Sequence, residues 1–164
     1  MTNPVRLFPD SVLRQKTARV KDFDAKLQAI VRKLEVAMRS HPAGIGIAAP
    51  QIGLPLQIAV VDVSTRVSGA ERLILVNPAI IQGSEKRLSR EGCMSLPEYT
   101  AQLIRFEKIR VLWQDLSGRR CEGVFCGLQA VCIQHEIDHL QGFLIIDRVV
   151  SLKRDLIPRP FKPI

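Results

Sequence analysis

The chain has 164 residues, of which 46% are hydrophobic and 24% charged, a composition typical of one soluble globular domain with a substantial core. No run approaches the ~18 apolar residues that a membrane-spanning helix needs, and no signal or transit pattern is visible, so we expect a cytoplasmic protein without a membrane partner. The net charge of +8 favours approach to polyanions such as a ribosome surface. An aromatic content of 5% gives no base-stacking pattern, so sequence-specific nucleic-acid recognition is not indicated.

The first part of the chain predicts one helix followed by several strands. Apolar periodicity indicates an amphipathic helix over residues 24–40, which Asp22 or Asp24 would cap. We expect Asn77-Pro78 to end the second strand and the turn at residues 115–118 to join the last two as a hairpin. Stretches rich in Ile and Val predict the strands themselves at residues 57–63, 72–76, 101–106, 109–113 and 120–125.

The second part predicts another helix, over residues 127–142, and a final strand over residues 143–146. Residues 151–164 are basic and contain prolines, so we expect an extended, poorly packed tail without helix after a single domain at residues 1–150. Strands in adjacent runs, with one helix before and one after, favour an α+β fold over a doubly wound one. In that fold, we expect the strands to form antiparallel sheet.

The most informative motif lies on that second helix, in the run QHEIDH at residues 134–139. His135 and His139 are four residues apart and therefore lie on one helix face, one turn from each other, where both rings reach one metal ion. Glu136 follows the first histidine, as in the His-Glu-x-x-His helix of metalloproteases, where the glutamate is a general base. The alternative is a core helix that happens to carry two histidines. The chain has only three histidines, so the metal interpretation is favoured.

A catalytic metal site usually has a third protein ligand, and two cysteines are candidates. Cys132 lies two turns from His139, roughly 10 Å along the helix axis, which is beyond the reach of a thiol. It is better interpreted as a small buried hydrophobic residue. Cys93 lies in the run EGCMSLP at residues 91–97, an irregular bend that could fold over the helix. The sequence therefore predicts Cys93, His135 and His139 as the ligands.

A third stretch, GIGIAAPQ at residues 44–51, is small, apolar and rich in glycine. It lacks the lysine and the spacing of a phosphate-binding loop. A buried turn would have a similar composition, so the stretch alone is a weak signal. Its glycines would let the backbone pass close to a ligand.

Together, these three stretches resemble the signatures of the peptide deformylase family, which are GxGhAAPQ (h, an apolar residue), EGChS and QHExDH. They occur in the family order, and the resemblance covers about residues 5–150. It implies an α+β fold in which antiparallel sheets surround a central metal-binding helix. It also implies that the domain is a metal-dependent hydrolase, which removes the formyl group from the initiator N-formylmethionine of nascent polypeptides. It also implies one divalent ion, Fe(II) natively, for which Zn, Ni or Co could substitute, and a transient association with the ribosome.

The resemblance also assigns roles to individual residues. Cys93, His135 and His139 would be the metal ligands, and Glu136 the general acid/base. Gln51 and the backbone N–H of Met94 would bind the oxyanion. Glu91 and Arg105 would pair and clamp the loop that carries Cys93 over the helix; the alternative is two solvated surface charges. The expected substrate-binding residues are Ile45, Gly46, Leu128, Val131 and Cys132.

Two other functions use some of the same residues. A zinc endopeptidase would also need His135, Glu136 and His139, but it would normally have a third ligand downstream, and no histidine follows residue 139. A deformylase-like metal-binding or ribosome-associated protein without turnover would not need a proton shuttle. Glu136, Gln51 and Cys93 are all present, which favours the enzyme.

Overall fold

The computed structural model describes residues 5–160, whose main feature is a six-stranded antiparallel sheet. An α+β fold with an antiparallel sheet is confirmed, although the predicted sheets form one hydrogen-bonded unit. Within the described part of the chain, no helix is long and apolar enough to cross a membrane. The sheet order is β1-β2-β3-β4-β5, with β6 paired to β4. The strands are β1 (Gly46–Ala48), β2 (Ile58–Val61), β3 (Leu73–Cys93), β4 (Leu96–Gln114), β5 (Arg120–Cys126) and β6 (Leu156–Pro158).

Two helices of more than ten residues accompany the sheet, α1 (Ala25–Arg39) and α2 (Gly127–Leu140). Asp24 caps α1, since its carboxylate accepts hydrogen bonds from the backbone N–H groups of Lys26 and Leu27 at 2.9 and 3.1 Å. The short helical turns are two 3-10 turns, at Ser11–Arg14 and Ala49–Ile52, and two α-helical turns, α3 (Ile145–Arg148) and α4 (Leu152–Asp155).

Strand β2 lies between the two long helices, which explains its uninterrupted apolar sequence. Successive side chains of a strand point to opposite faces of the sheet. Ala59 and Val61 therefore pack in the core on the α2 side, and Ile58 and Val60 pack in the core on the α1 side. Both cores converge on this part of the sheet, and α2 is held against it with most of its residues buried.

The prediction that Asn77-Pro78 ends a strand is wrong, because β3 continues through it with a register shift. Asn77 adopts a φ of 51°, a left-handed conformation that asparagine tolerates better than most residues. Its side chain bonds the backbone of Val20 and the side chain of Gln114, which fixes the irregularity. The β3 segment beyond this bulge is polar, and neither it nor the continuity of β4 was predicted. β4 and β5 pair as the predicted hairpin.

Two predictions for the end of the chain are also wrong. Residues 143–146 do not form a strand, because the Asp147 carboxylate accepts a hydrogen bond from Leu144 N–H at 2.7 Å and starts the helical turn α3. The tail was predicted to lack helix, but Leu152–Asp155 form α4; the residues that follow are extended as predicted and pair as β6 with Tyr99–Ala101 of β4. Residues 161–164 lie outside the described residues, and the division into domains at residue 150 stays a prediction.

Candidate metal centre

The end of the β3–β4 hairpin and the middle of α2 bring three ligand side chains together. Cys93 is the last residue of β3, and only two residues separate it from the start of β4. His135 and His139 lie one turn apart on α2, with ring centroids separated by 5.0 Å. One ligand atom from each of these three residues lies within 4.8 Å of the others, and the Cys93 Sγ to His139 Nε2 distance is 3.3 Å.

The donor set fits one divalent ion. A thiolate and two imidazoles are the ligands that Zn²⁺ and related transition metals prefer, and three protein ligands leave a position for water or substrate. Burial alone would raise the pKa of the Cys93 thiol, but the adjacent histidines His139 and His135 hold that pKa well below its ordinary value. The cysteine is therefore prepared as a thiolate, the form that binds metal.

A buried ionic network holds the ligands from behind. His135 Nδ1 lies 2.9 Å from Glu91 Oε2, which leaves the other ring nitrogen, Nε2, for the metal. Arg105 donates two bonds to Glu91, at 2.8 and 2.9 Å, and a third to Asp138 at 2.6 Å. Arg148 closes the network with two bonds to Asp138 at 3.0 and 2.6 Å.

The network sets the charge of Glu91. Burial would raise the pKa of its carboxyl, but the hydrogen bonds from Arg105 and His135 lower it to about 2. Glu91 therefore stays ionised and fixes the tautomer of His135. Because Glu91 is two residues before Cys93, the same carboxylate also holds the strand that carries the thiolate.

Glu136 differs from Glu91 in both its surroundings and its pKa. Its side chain is buried, and Oε2 has no hydrogen-bond partner among the described residues. Burial raises the pKa of this carboxyl to about 7. A carboxyl with a pKa near neutrality is suited to taking and returning a proton, which is the task of a general acid/base.

Gln51 is fully buried beside Cys93. Its carbonyl oxygen accepts a hydrogen bond from Ala48 N–H at 3.0 Å, which fixes the orientation of the amide. The amide nitrogen therefore points to Ser95 Oγ, at 3.1 Å, and to Cys93 Sγ, at 3.9 Å. A neutral donor held this way beside the ligands is placed to bind a developing negative charge.

A cleft of about 610 Å³ opens at the site and is lined by two of the three ligand residues, Cys93 and His135, whereas His139 is buried and does not line it. One wall is apolar, and it contains the five residues that the sequence predicted for substrate binding. Cys132 is not among the clustered ligands; its thiol contacts Ile45 O at 3.4 Å, and burial raises its pKa well above the ordinary value, so it stays neutral. The cleft-lining residues from the prediction are Ile45, Gly46, Gln51, Glu91, Cys93, Met94, Leu128, Val131, Cys132, His135 and Glu136.

Gly46 lies where the backbone of β1 passes close to α2, which leaves no room for a side chain. A Cβ at this position would overlap Glu136 Oε1 and lie 2.6 Å from Cys132 Sγ. We expect Gly46→Ala to lower kcat/KM for a formylmethionyl peptide, the substrate that the resemblance implies, by about 10²-fold, because the added methyl group displaces the Glu136 carboxylate. Gly123→Ala on β5, whose Cβ would meet only aromatic side chains, is the matched control. Unchanged kcat/KM in Gly46→Ala would show that this contact does not position Glu136.

Comparison with known proteins identifies the family. The profile of the polypeptide deformylase family matches residues 2–155. The chain belongs to the polypeptide deformylase family. A peptide deformylase of Desulfotalea psychrophila is 41% identical over 156 residues, which cover 94% of this chain and 92% of that protein.

Solved structures of deformylases have the same fold. A peptide deformylase from Synechococcus elongatus, in complex with actinonin, is 37% identical with a TM-score of 0.84, over 92% of this chain and 82% of that one. A peptide deformylase from Thermotoga maritima is 35% identical with a TM-score of 0.84, over 92% of this chain and 99% of that one.

Some site residues of this deformylase family member were not predicted from the sequence. Asp138 stands inside the QHExDH signature, and its position one residue before His139 is the signal that could have assigned it a supporting role. Ser95 stands in the EGChS signature and bonds Gln51. Arg148 and Arg159 lie outside all three signatures, and no local pattern indicates that they reach the site.

Proposed function

We propose that the chain removes the N-formyl group from the N-formylmethionine of newly synthesised polypeptides, using a metal ion held by Cys93, His135 and His139. The clustering of these three ligand atoms next to a buried carboxyl with a pKa of about 7 carries the proposal. Membership in the polypeptide deformylase family supports the same reaction. A divalent ion at these ligands supplies a Lewis acid, which polarises a carbonyl and makes water a better nucleophile at neutral pH.

The proposed reaction also needs proton transfer, oxyanion binding and a pocket for methionine, and separate residues would supply each of these. The Glu136 carboxylate accepts a proton from the attacking water and returns it to the departing amine of methionine. Gln51 Nε2 and the backbone N–H of Met94 would donate hydrogen bonds to the oxyanion that develops on the formyl group. Leu128, Val131 and Cys132, with Ile45, would form the apolar surface for the methionine side chain, and Gly46 would let the substrate backbone approach.

The structure favours turnover over a binding role. A protein that only bound metal would gain nothing from a buried carboxylate without a hydrogen-bond partner, because such a group carries a desolvation cost. Glu136 is such a group, and it faces the cleft rather than a partner among the described residues. This observation separates the enzyme from the deformylase-like protein without turnover.

We further propose Fe(II) as the native ion, because the resemblance implies it. Co, Ni or Zn could substitute, since a thiolate–imidazole set accepts these metals as well. The cytoplasm is the proposed compartment, since all four cysteines are free thiols. A net charge of +8 supports transient association with the ribosome, where nascent substrates emerge.

The proposed activity is tested by incubating metal-reconstituted protein with formyl-Met-Ala-Ser, acetyl-Met-Ala-Ser and an unblocked peptide that contains an internal methionine. We expect formate and a free amine from the first peptide only, in equal amounts. Internal cleavage of the third peptide would instead identify an endopeptidase. If fully metal-loaded protein hydrolysed none of the three peptides, the alternative function, a deformylase-like metal-binding protein without turnover, would be supported instead.

The oxyanion role of Gln51 gives a further prediction. We expect Gln51→Leu to lower kcat by about 10²–10³-fold with little change in KM, because the lost donor acts on charge that develops only in the transition state. Gln28→Leu, on the exposed side of α1, is the control with the same change in chemistry. A rise in KM at constant kcat would assign Gln51 to substrate binding instead.

A further inference from the structure

The mouth of the cleft carries several exposed arginines. Arg66, Arg87, Arg90 and Arg159 all line it. The two acidic residues that line the same cleft are buried, and one of them, Glu91, is paired with Arg105. The exposed entrance is therefore positively charged.

Arg159 reaches this entrance because β6 brings the end of the described chain back to the sheet. Its backbone N–H donates to Glu98 O at 2.7 Å, which extends the pairing of β6 with β4. Its guanidinium then lies directly over Gly92, where a Cβ would overlap Nη2 and stand 3.0 Å from Cζ. Arg159 thus lies against the residue that precedes the ligand Cys93.

Arg90 reaches the same place from β3. Its Nε donates to Thr100 Oγ1 at 3.4 Å, and Thr100 is the register partner of Gly92. Of the other two arginines at the mouth, Arg87 pairs with Glu107 at 2.8 Å, and Arg66 donates to the backbone carbonyl of Ala43 at 3.5 Å. Within residues 5–160, neither Arg90 nor Arg159 has a carboxylate within ion-pair distance.

We propose that Arg159 and Arg90 are specificity-determining residues that favour substrates with an acidic side chain shortly after formylmethionine. The inference rests on the proposed function, and it adds a preference within that reaction. The methionine side chain is assigned to the apolar wall, so the residues that follow leave past the exposed mouth of the cleft. The guanidinium groups of Arg90 and Arg159 have no carboxylate partner among the described residues, and each offers a planar fork that binds a carboxylate in bidentate fashion.

The size of the effect follows from the exposure of both arginines. An exposed ion pair contributes little, and salt screens it. We expect kcat/KM for an acidic peptide to exceed that of its amide counterpart by about 3–10-fold at low ionic strength. The preference should shrink as salt is added, and a lysine peptide should be the poorest substrate.

The experiment uses metal-loaded full-length protein and formyl-Met-Ala-X-Ser peptides in which X is Glu, Gln or Lys, together with a second series that has X directly after methionine. We expect the Glu:Gln ratio of kcat/KM in the parent protein to exceed one in at least one of the two series. In that series, the ratio should fall toward one in Arg159→Gln and in Arg90→Gln. The backbone bond of Arg159 is retained in its variant. Arg32→Gln, which removes one charge from the exposed side of α1, should keep the ratio of the parent.

The ratio separates this inference from the proposed function. Absence of formate release from the Gln peptides would overturn the proposed function. Normal turnover of those peptides with a Glu:Gln ratio near one in the parent, or an unchanged ratio in both variants, would overturn the specificity role alone. A melting temperature for each variant shows that a lost preference does not come from unfolding.

Discussion

Glu136→Gln is expected to lower kcat by about 10²–10⁴-fold while the protein keeps its metal, because the change removes only the proton acceptor. Glutamine has nearly the size of glutamate, so the buried position beside Gly46 stays filled. Removing an ionisable group whose pKa is raised by burial should also leave the free energy of unfolding unchanged or increase it.

The measurement is formate release, together with metal content per chain, for the parent and the variant. Glu122→Gln on the exposed face of β5 makes the same chemical change away from the cleft and should match the parent. Parental kcat in a metal-loaded Glu136→Gln protein would show that another group carries the proton.

Arg105→Ala is expected to lower both stability and metal affinity, although Arg105 does not touch the metal. Its side chain is 5% exposed and bonds both Glu91 and Asp138. Truncation leaves Glu91 as a buried carboxylate without its bidentate partner, at a cost of about 3–5 kcal/mol in the free energy of unfolding. Arg148 still holds Asp138, so the damage is concentrated at Glu91.

Metal affinity should fall by roughly 10–100-fold in the same variant, since Glu91 orients His135 and belongs to the strand end that carries Cys93. Chemical denaturation and competition with a metal chelator measure the two effects. Arg110→Ala is the matched control on β4, because its pair with Glu122 is exposed and should contribute only ~0–1 kcal/mol. If Arg105→Ala behaved like Arg110→Ala, the buried network would not be what holds the ligands.

The sequence predicted those parts of the site that depend on local geometry. Four-residue spacing on a helix places His135 and His139 on one face whatever the rest of the fold does. The family resemblance also assigned Cys93, Gln51 and the Glu91–Arg105 pair, which the structure brings to the same place.

Contacts between distant parts of the chain were not predictable in this way. Arg148 and Arg159 reach the site only because α3 and β6 pack back against the sheet. The local sequence around either arginine does not predict this packing. The polar half of β3 was missed because strand prediction relies on alternating apolar residues, and its exposed outer positions carry mostly charged and polar side chains. The Asn77-Pro78 pair predicts a strand end, but the left-handed conformation of Asn77 serves a bulge within a strand as readily as a turn.

The central claim is hydrolysis of a formyl amide at a metal held by Cys93, His135 and His139. The most direct test measures formate release from formyl-Met-Ala-Ser while metal-free protein is titrated with Fe(II) under anaerobic conditions, and with Co(II) or Zn(II) in parallel. The account predicts no formate without metal and a rate that rises linearly until one ion is bound per chain. Full activity in metal-free protein, or one bound ion per chain without formate release, would contradict it.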